Sequence, residues 1–258
     1  SWGRMRAGLY LAARFFLRYQ ALSLGFSLLA PFLSAVLYAA GWAATGGRAD
    51  FEKFLYQAVG MVLLVLAQMA TSSILWTLYE FMRGGQLEYL MASLARPLGV
   101  LAAFFLVELA SSGLSFALST AVLVAVAKGL AYGVGVLLAV AAAAATSLPL
   151  VGLALALSYV LPRVRNPSPI SMLLNVGVVF FGGVLYPVSV LPEALRLVSS
   201  LLPFAAWAEF ARSIALGLEA PVRHLGPLLG YMAYAAVGVA IWGLLARSLR
   251  ISGRYHVW

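Results

Sequence analysis

Long stretches of this chain carry no charge at all, and that constrains its fold more than any motif does. Residues 19–47, 54–79, 129–162, 166–192 and 225–246 contain no Asp, Glu, Lys or Arg, and a sixth stretch, 97–127, contains only Glu108. Each is long enough to supply the roughly 20 apolar residues that cross about 30 Å of hydrocarbon as a helix. In lipid every backbone N–H and C=O must be satisfied within the protein, which leaves helix bundles and closed barrels. The runs are continuously apolar rather than alternating, so helices are expected. Composition agrees: 64% of residues are hydrophobic and 10% are charged, against about 25% charged in an ordinary soluble domain. We place six spans near 21–44, 54–79, 98–127, 134–161, 169–188 and 225–247. The run 191–217 holds Glu193, Arg196, Glu209 and Arg212 and is broken by Pro203, so it is not expected to cross.

The cations divide unevenly between the two sides of such a bundle. Eleven arginines fall on one side: Arg4, Arg6, Arg14 and Arg18 at the start, Arg83 and Arg96, Arg163 and Arg165, and Arg247, Arg250 and Arg254 in the tail. The other side holds six Lys and Arg, largely balanced by Asp50, Glu52, Glu193, Glu209 and Glu219. The positive-inside bias makes the first side cytoplasmic, with both termini there and the protein multi-pass in the cell membrane. That excess accounts for the whole +9 net charge, so a nucleic-acid partner is not expected. Residues 1–20 mix Arg4, Arg14 and Arg18 with Trp2, Leu9, Phe15, Phe16 and Tyr19, which suits an amphipathic helix lying in the interface. A signal peptide would need an uninterrupted apolar core, which this segment lacks. The opening Ser1, not a methionine, suggests numbering that begins inside a longer or processed chain.

Several chemistries have no residues to carry them. There is no cysteine, and the two histidines, His224 and His256, are far apart in sequence, so thiolate and metal sites are not expected. The only lysines are followed by Phe54 and Gly129, whereas a P-loop needs Ser or Thr after its lysine. No catalytic residue is assigned, and no cofactor is expected on this chain. Proton-coupled transport needs several intramembrane ionisable groups, and only Glu108 lies deep in a span. Glu108, Ser111, Ser112, Ser115 and Ser119 recur at spacings that share one helical face. An acid at that depth points into protein or a water-filled cavity, whereas serines on the same face also allow close helix packing.

Between the second and third spans, Gly84-Gly85 breaks the helix. Leu87, Leu90 and Met91 then share a face at i, i+3 and i+4. Such a face, without lipid to enter, calls for a groove in this chain or in another protein. At Glu80, Gly85, Leu87, Glu88 and Leu90 the segment resembles the ABC-2-type permease family, the membrane subunits of ATP-binding-cassette exporters, with Gln86 where threonine is usual. A second match runs through Phe181-Gly182-Gly183-Val184-Leu185-Tyr186-Pro187, Leu191-Pro192, Leu202-Pro203-Phe204 and Glu209-Phe210-Ala211-Arg212. On the residues alone, Glu209 and Arg212 at i, i+3 can pair on one face.

The resemblance implies an all-α integral membrane fold: six transmembrane helices over 21–258, an amino-terminal interfacial helix, and a short re-entrant helical hairpin at 191–217 before the last span. Pro187, Pro203, Glu209 and Arg212 would mark that hairpin. The loop 80–97 would carry a coupling helix, with Glu80, Arg83, Gly85, Leu87, Glu88, Leu90 and Met91 against a separate cytoplasmic ATPase that binds ATP and Mg. It implies a homodimer and outward movement, and the apolar spans suit an amphiphilic cargo such as a lipid, a drug or a glycan-lipid. A secondary carrier or channel using Glu108 is the alternative from another class. With no native cysteine, single cysteines report topology: we expect a membrane-impermeant thiol reagent to label intact cells at positions 48 and 128 and to leave 88, 165 and 254 unlabelled.

Overall fold

The computed structural model describes residues 9–10, 13–14, 21–44, 51–92, 97–164, 166–217 and 220–252. The interfacial helix expected over 1–20 therefore lies outside the described residues, apart from two short pieces. Among the described residues every regular element is helical. We number them α1 (Ala21–Ala44), α2 (Phe51–Gln68), α3 (Ile74–Arg83), α4 (Gln86–Ala92), α5 (Pro97–Glu108), α6 (Leu114–Lys128), α7 (Leu130–Ala145), α8 (Leu148–Leu157), α9 (Ser168–Phe181), α10 (Glu193–Leu201), α11 (Pro203–Leu216), α12 (Val222–Gly230) and α13 (Met232–Ser252). One-turn π-helical segments, Met69–Ser73 and Leu109–Gly113, join α2 to α3 and α5 to α6.

The expected all-α membrane fold holds. Three continuous stretches, Glu52–Arg83, Pro97–Lys128 and Val222–Ile251, are long and apolar enough to cross a membrane, and up to five are if each bent pair counts as one span. The expected span at 134–161 is one such pair, bent by 44° between α7 and α8. Pro149 has no N–H to continue the helix ladder, and at the bend side-chain hydroxyls add to the backbone bonds: Thr146 Oγ1 donates to Ala142 O at 2.7 Å and Ser147 Oγ to Ala144 O at 2.8 Å. The span expected at 169–188 is shorter than the sequence suggested. Helix α9 stops at Phe181, and Gly183, at φ +61°, turns the chain out of it.

Glu52–Arg83 is the central strut, burying Val59, Val62, Leu63, Leu66, Ala67, Leu75, Leu78 and Met82. The outward faces stay apolar at Leu118, Val122, Val126, Leu138, Leu173, Val237 and Leu244, as a surface facing lipid requires and a soluble one rarely tolerates. Helices α8 and α13 meet backbone to backbone: a Cβ on Gly238 would lie 2.1 Å from Gly152 O, and one on Gly152 would lie 2.3 Å from Tyr234 O. Gly133 packs closely on α6, where a Cβ would lie 2.7 Å from Ala121 O, whereas Gly226 and Gly230 face open space.

Helices α10 and α11 form a hairpin bent by 84° at Leu202-Pro203. Val190 before it and Leu216 at its end line the same cavity, so the hairpin leaves and returns to one end of the bundle. Its elbow is sealed by hydroxyls: Ser199 Oγ donates to Phe181 O at 2.6 Å, Tyr234 to Leu201 O at 2.6 Å, and Tyr231 to Ser200 O. Trp207, fully buried, donates its indole N–H to Ala143 O at 2.9 Å and pins α11 to α7.

The expected Glu209–Arg212 pairing does not form. Arg212, 4% exposed, instead donates from Nη1 to Tyr56 Oη at 2.7 Å and Gly183 O at 3.0 Å, and from Nη2 to Val184 O at 2.8 Å. Its guanidinium carbon sits 3.6 Å from the Tyr56 ring centroid, and Tyr56 itself donates to Gly183 O at 3.0 Å. The loop carbonyls hold Arg212 in place of Glu209: Val184 O accepts from it and Gly183 O accepts from it and from Tyr56, whereas Glu209 is half-exposed and lies 4.0 Å from His224. The close approach needs Gly60, where a Cβ would fall 1.7 Å from Val184 O. A buried carbonyl stripped of its donor costs roughly 1–3 kcal/mol, and an exposed pair contributes about 0–1 kcal/mol. We therefore expect Arg212→Met and Gly60→Ala each to lower the thermal unfolding midpoint of the purified chain in detergent clearly, and Glu209→Gln to leave it almost unchanged.

Candidate functional site

The turn between α3 and α4 is built by Gly84 and Gly85. The Gly84 N–H closes on Glu80 O at 2.8 Å, and Gly85 at φ +68° reverses the chain into α4. The seven residues of α4 then lie back on the bundle. Leu87 is 0% exposed and Met91 is buried beside it, within the core that also takes Phe81 and Met82. Phe81 meets Phe104 of α5 edge to face at 5.3 Å. The apolar face read from the sequence thus fills a groove in this chain, and Leu87 and Met91 are not available to a separate protein. Leu90 is half-buried against the same core. What the turn presents to solvent is polar and aromatic: Glu80, Arg83, Glu88 and Tyr89, the last 77% exposed. Tyr89 escaped the sequence reading because it belongs to neither the apolar face nor the charged positions of the motif.

The serine stripe also divides. A π-turn takes more residues per turn than an α-helix, so Leu109–Gly113 breaks the periodicity that would align Glu108 with Ser115 and Ser119. Ser111 Oγ donates to Val107 O at 2.6 Å in its own helix. Ser119 Oγ donates to Ser115 O at 3.1 Å and Phe116 O at 3.0 Å, and reaches Ser27 O of α1 at 3.4 Å. Ser112 is buried and Ser115 half-buried. These serines mend helix backbone and let α1 approach; they do not form one polar lining with Glu108.

Glu108 faces α2 and α3. Ser73 Oγ donates to its Oε2 at 2.5 Å. Beside this pair, Ser72 Oγ donates to Asn175 Oδ1 at 2.9 Å, joining the central strut to α9. Gln68, Ser72, Ser73, Trp76, Glu108 and Asn175 line a cavity of about 370 Å³ with Val65 and Met69. Ser73 ends one π-turn and Glu108 immediately precedes the other, and a Cβ on Gly113 would meet Met69 Sδ at 3.4 Å. Asn175 was the signal the sequence offered and we did not use: an amide in the middle of an apolar run.

A larger cavity of about 600 Å³ opens at the other end of the bundle, between Glu52, Lys53 and Tyr56 of α2, Lys128 and Tyr132 at the α6–α7 turn, and Leu185 to Val190. It gathers the first residues of α2, the α6–α7 turn and both ends of the hairpin. Among the described residues no group of three or more His, Asp or Glu is placed to hold a metal ion.

Comparison with curated proteins and with solved structures returned no match. A family model does match: that of the ABC-2 type transporter, over residues 6–216. This covers well over half of the chain, including the turn at 84–91, the Glu108 cavity and the hairpin. The chain is a member of the ABC-2 type transporter family, the membrane-embedded permease part of ABC transporters and not their ATPase.

Proposed function

We propose that this permease is the membrane subunit of an ATP-driven exporter, crossing the bilayer six times with both termini in the cytoplasm and pairing with a second copy of itself. A separate cytoplasmic subunit binds ATP and Mg and docks on the exposed side of the α3–α4 turn. The cargo is an amphiphile that enters from the apolar surroundings of the bundle and leaves outward. The six-crossing reading is supported by the larger cavity: the starts of α2 and α7, the end of α6 and both ends of the hairpin share one end of the bundle, so the intervening helices alternate in direction and the hairpin dips in and returns.

The observation that carries the coupling role is the division of α4 into a buried side and an exposed side. Leu87 and Met91 fix the turn rigidly to the feet of the central strut and of α5. Glu88 and Tyr89 stand out from it. A push on that exposed face is passed to packed helices, which move as rigid bodies because close-packed interiors do not deform continuously. The reading of Glu108 as a proton carrier has less support, since among the described residues it is the one titratable group lining its cavity and a relay needs a second.

The test is co-purification with the ATPase subunit and transport in proteoliposomes. Glu88→Arg and Tyr89→Ala should leave the chain folded and inserted, weaken ATPase association by about tenfold or more, and uncouple hydrolysis from transport. Leu87→Asp should instead lower the yield of folded chain, because it buries an unpaired charge. Normal association and transport in both surface variants would remove the turn from the coupling role.

A further inference from the structure

We propose that the cavity around Glu108 binds the ammonium head of a cationic amphiphile. The inference rests on the permease reading and names the class of cargo, which that reading leaves open. Gln68 to Ser73 lie ten to fifteen residues from the end of α3, roughly 15–22 Å along the helix, and Glu108 lies roughly 17 Å from the start of α5. The site is therefore deep in the bilayer. Among the described residues its sole charge is a carboxylate, and no Lys, Arg or His lines it.

Glu108 is under-used for a buried acid. A carboxylate offers about four acceptor positions, and among the described residues Ser73 is the hydrogen-bond partner seen, with no cation in ion-pair reach. An isolated charge in such surroundings is strongly unfavourable, and a positive group entering beside it removes that penalty. The remaining walls also suit a cation. Gln68 and Asn175 supply amide oxygens. Trp76, 38% exposed, supplies an aromatic surface, the type of group that holds quaternary ammonium ions. Its ring is braced edge to face by Tyr79 at 5.9 Å.

Room and access agree. A volume of about 370 Å³ accepts a head group but not a long chain. Met172 and Val176, three residues before and one after Asn175, stand exposed on α9 at i, i+4 of each other, so a tail can lie along that helix while the head sits inside. The two π-turns meet at the carboxylate, and such turns recur at functional sites because they re-aim side chains within a helix. A phosphate-bearing head is disfavoured, since the cavity offers it a negative charge and no cationic side chain. A divalent metal would find one carboxylate only.

The experiment is equilibrium binding of radiolabelled dodecyltrimethylammonium to the purified full chain in dodecyl maltoside, with dodecyl sulfate and dodecylphosphocholine as competitors. We expect saturable binding that Glu108→Gln weakens about tenfold or more and Trp76→Ala several-fold, with Glu108→Asp retaining most of it. Glu108→Gln keeps an oxygen for the Ser73 hydroxyl, so its unfolding midpoint should match the parent chain and separate lost binding from lost fold. Undiminished binding in Glu108→Gln, no saturable binding to a monodisperse parent chain, or equal competition by dodecylphosphocholine would each overturn the proposal. The ATPase is absent from this measurement. A chain that couples through Tyr89 but ignores the probe keeps the permease reading and loses this site, and the reverse result keeps the site and loses the coupling.

Discussion

Irregular backbone within a membrane must find donors and acceptors inside the protein, and at the turn after α9 one guanidinium supplies donors to two carbonyls. The turn after α9 aims the carbonyls of Gly183 and Val184 inward, and Arg212 reaches both across from α11 while stacking on Tyr56 of α2. Three elements distant in sequence are joined there by the planar, forked donor set that distinguishes Arg from Lys. The hairpin can bend at Pro203 because this anchor sits on one side of the elbow, and the hydroxyls of Ser199, Tyr231 and Tyr234 sit on the other.

Much of this architecture was legible from uncharged runs alone, because lipid imposes the same rule on every span. The limits of α1, the extent of Pro97–Lys128, the break at Gly84-Gly85 and the interruption at Pro203 all followed from composition and from Gly and Pro. What stayed hidden depends on partners far away in sequence. Spacing allowed Arg212 to meet Glu209, but the unsatisfied carbonyls of a turn nearly thirty residues earlier set its position. The periodicity of Leu87, Leu90 and Met91 correctly implied burial but could not say in which chain. The polar face drawn through Glu108 and the serines assumed a uniform helix, and a single π-turn undoes that assumption.

Both π-turns occur where the central strut crosses its neighbour. Each shifts the helical phase locally, and together they bring Ser73 and Glu108 within hydrogen-bond distance. On the strut, Val65, Gln68, Met69, Ser72, Ser73 and Trp76 recur at spacings of three and four and so share one face. Packing of that face against Glu108 and Asn175 makes one pocket from polar residues that the sequence scatters over three spans.

The seam between Gly152 and Gly238 bears on where the transporter unit ends. The family match stops at residue 216, yet α13, beyond it, touches α8 at the level of bare main chain, leaving no space for lipid between them. Removing the segment after 216 would uncover a strip of backbone that neither water nor acyl chains could solvate well. The boundary of resemblance is therefore not a boundary of folding: the last helix is part of the same body as the matched residues, and a truncation drawn at that boundary would divide one structural unit.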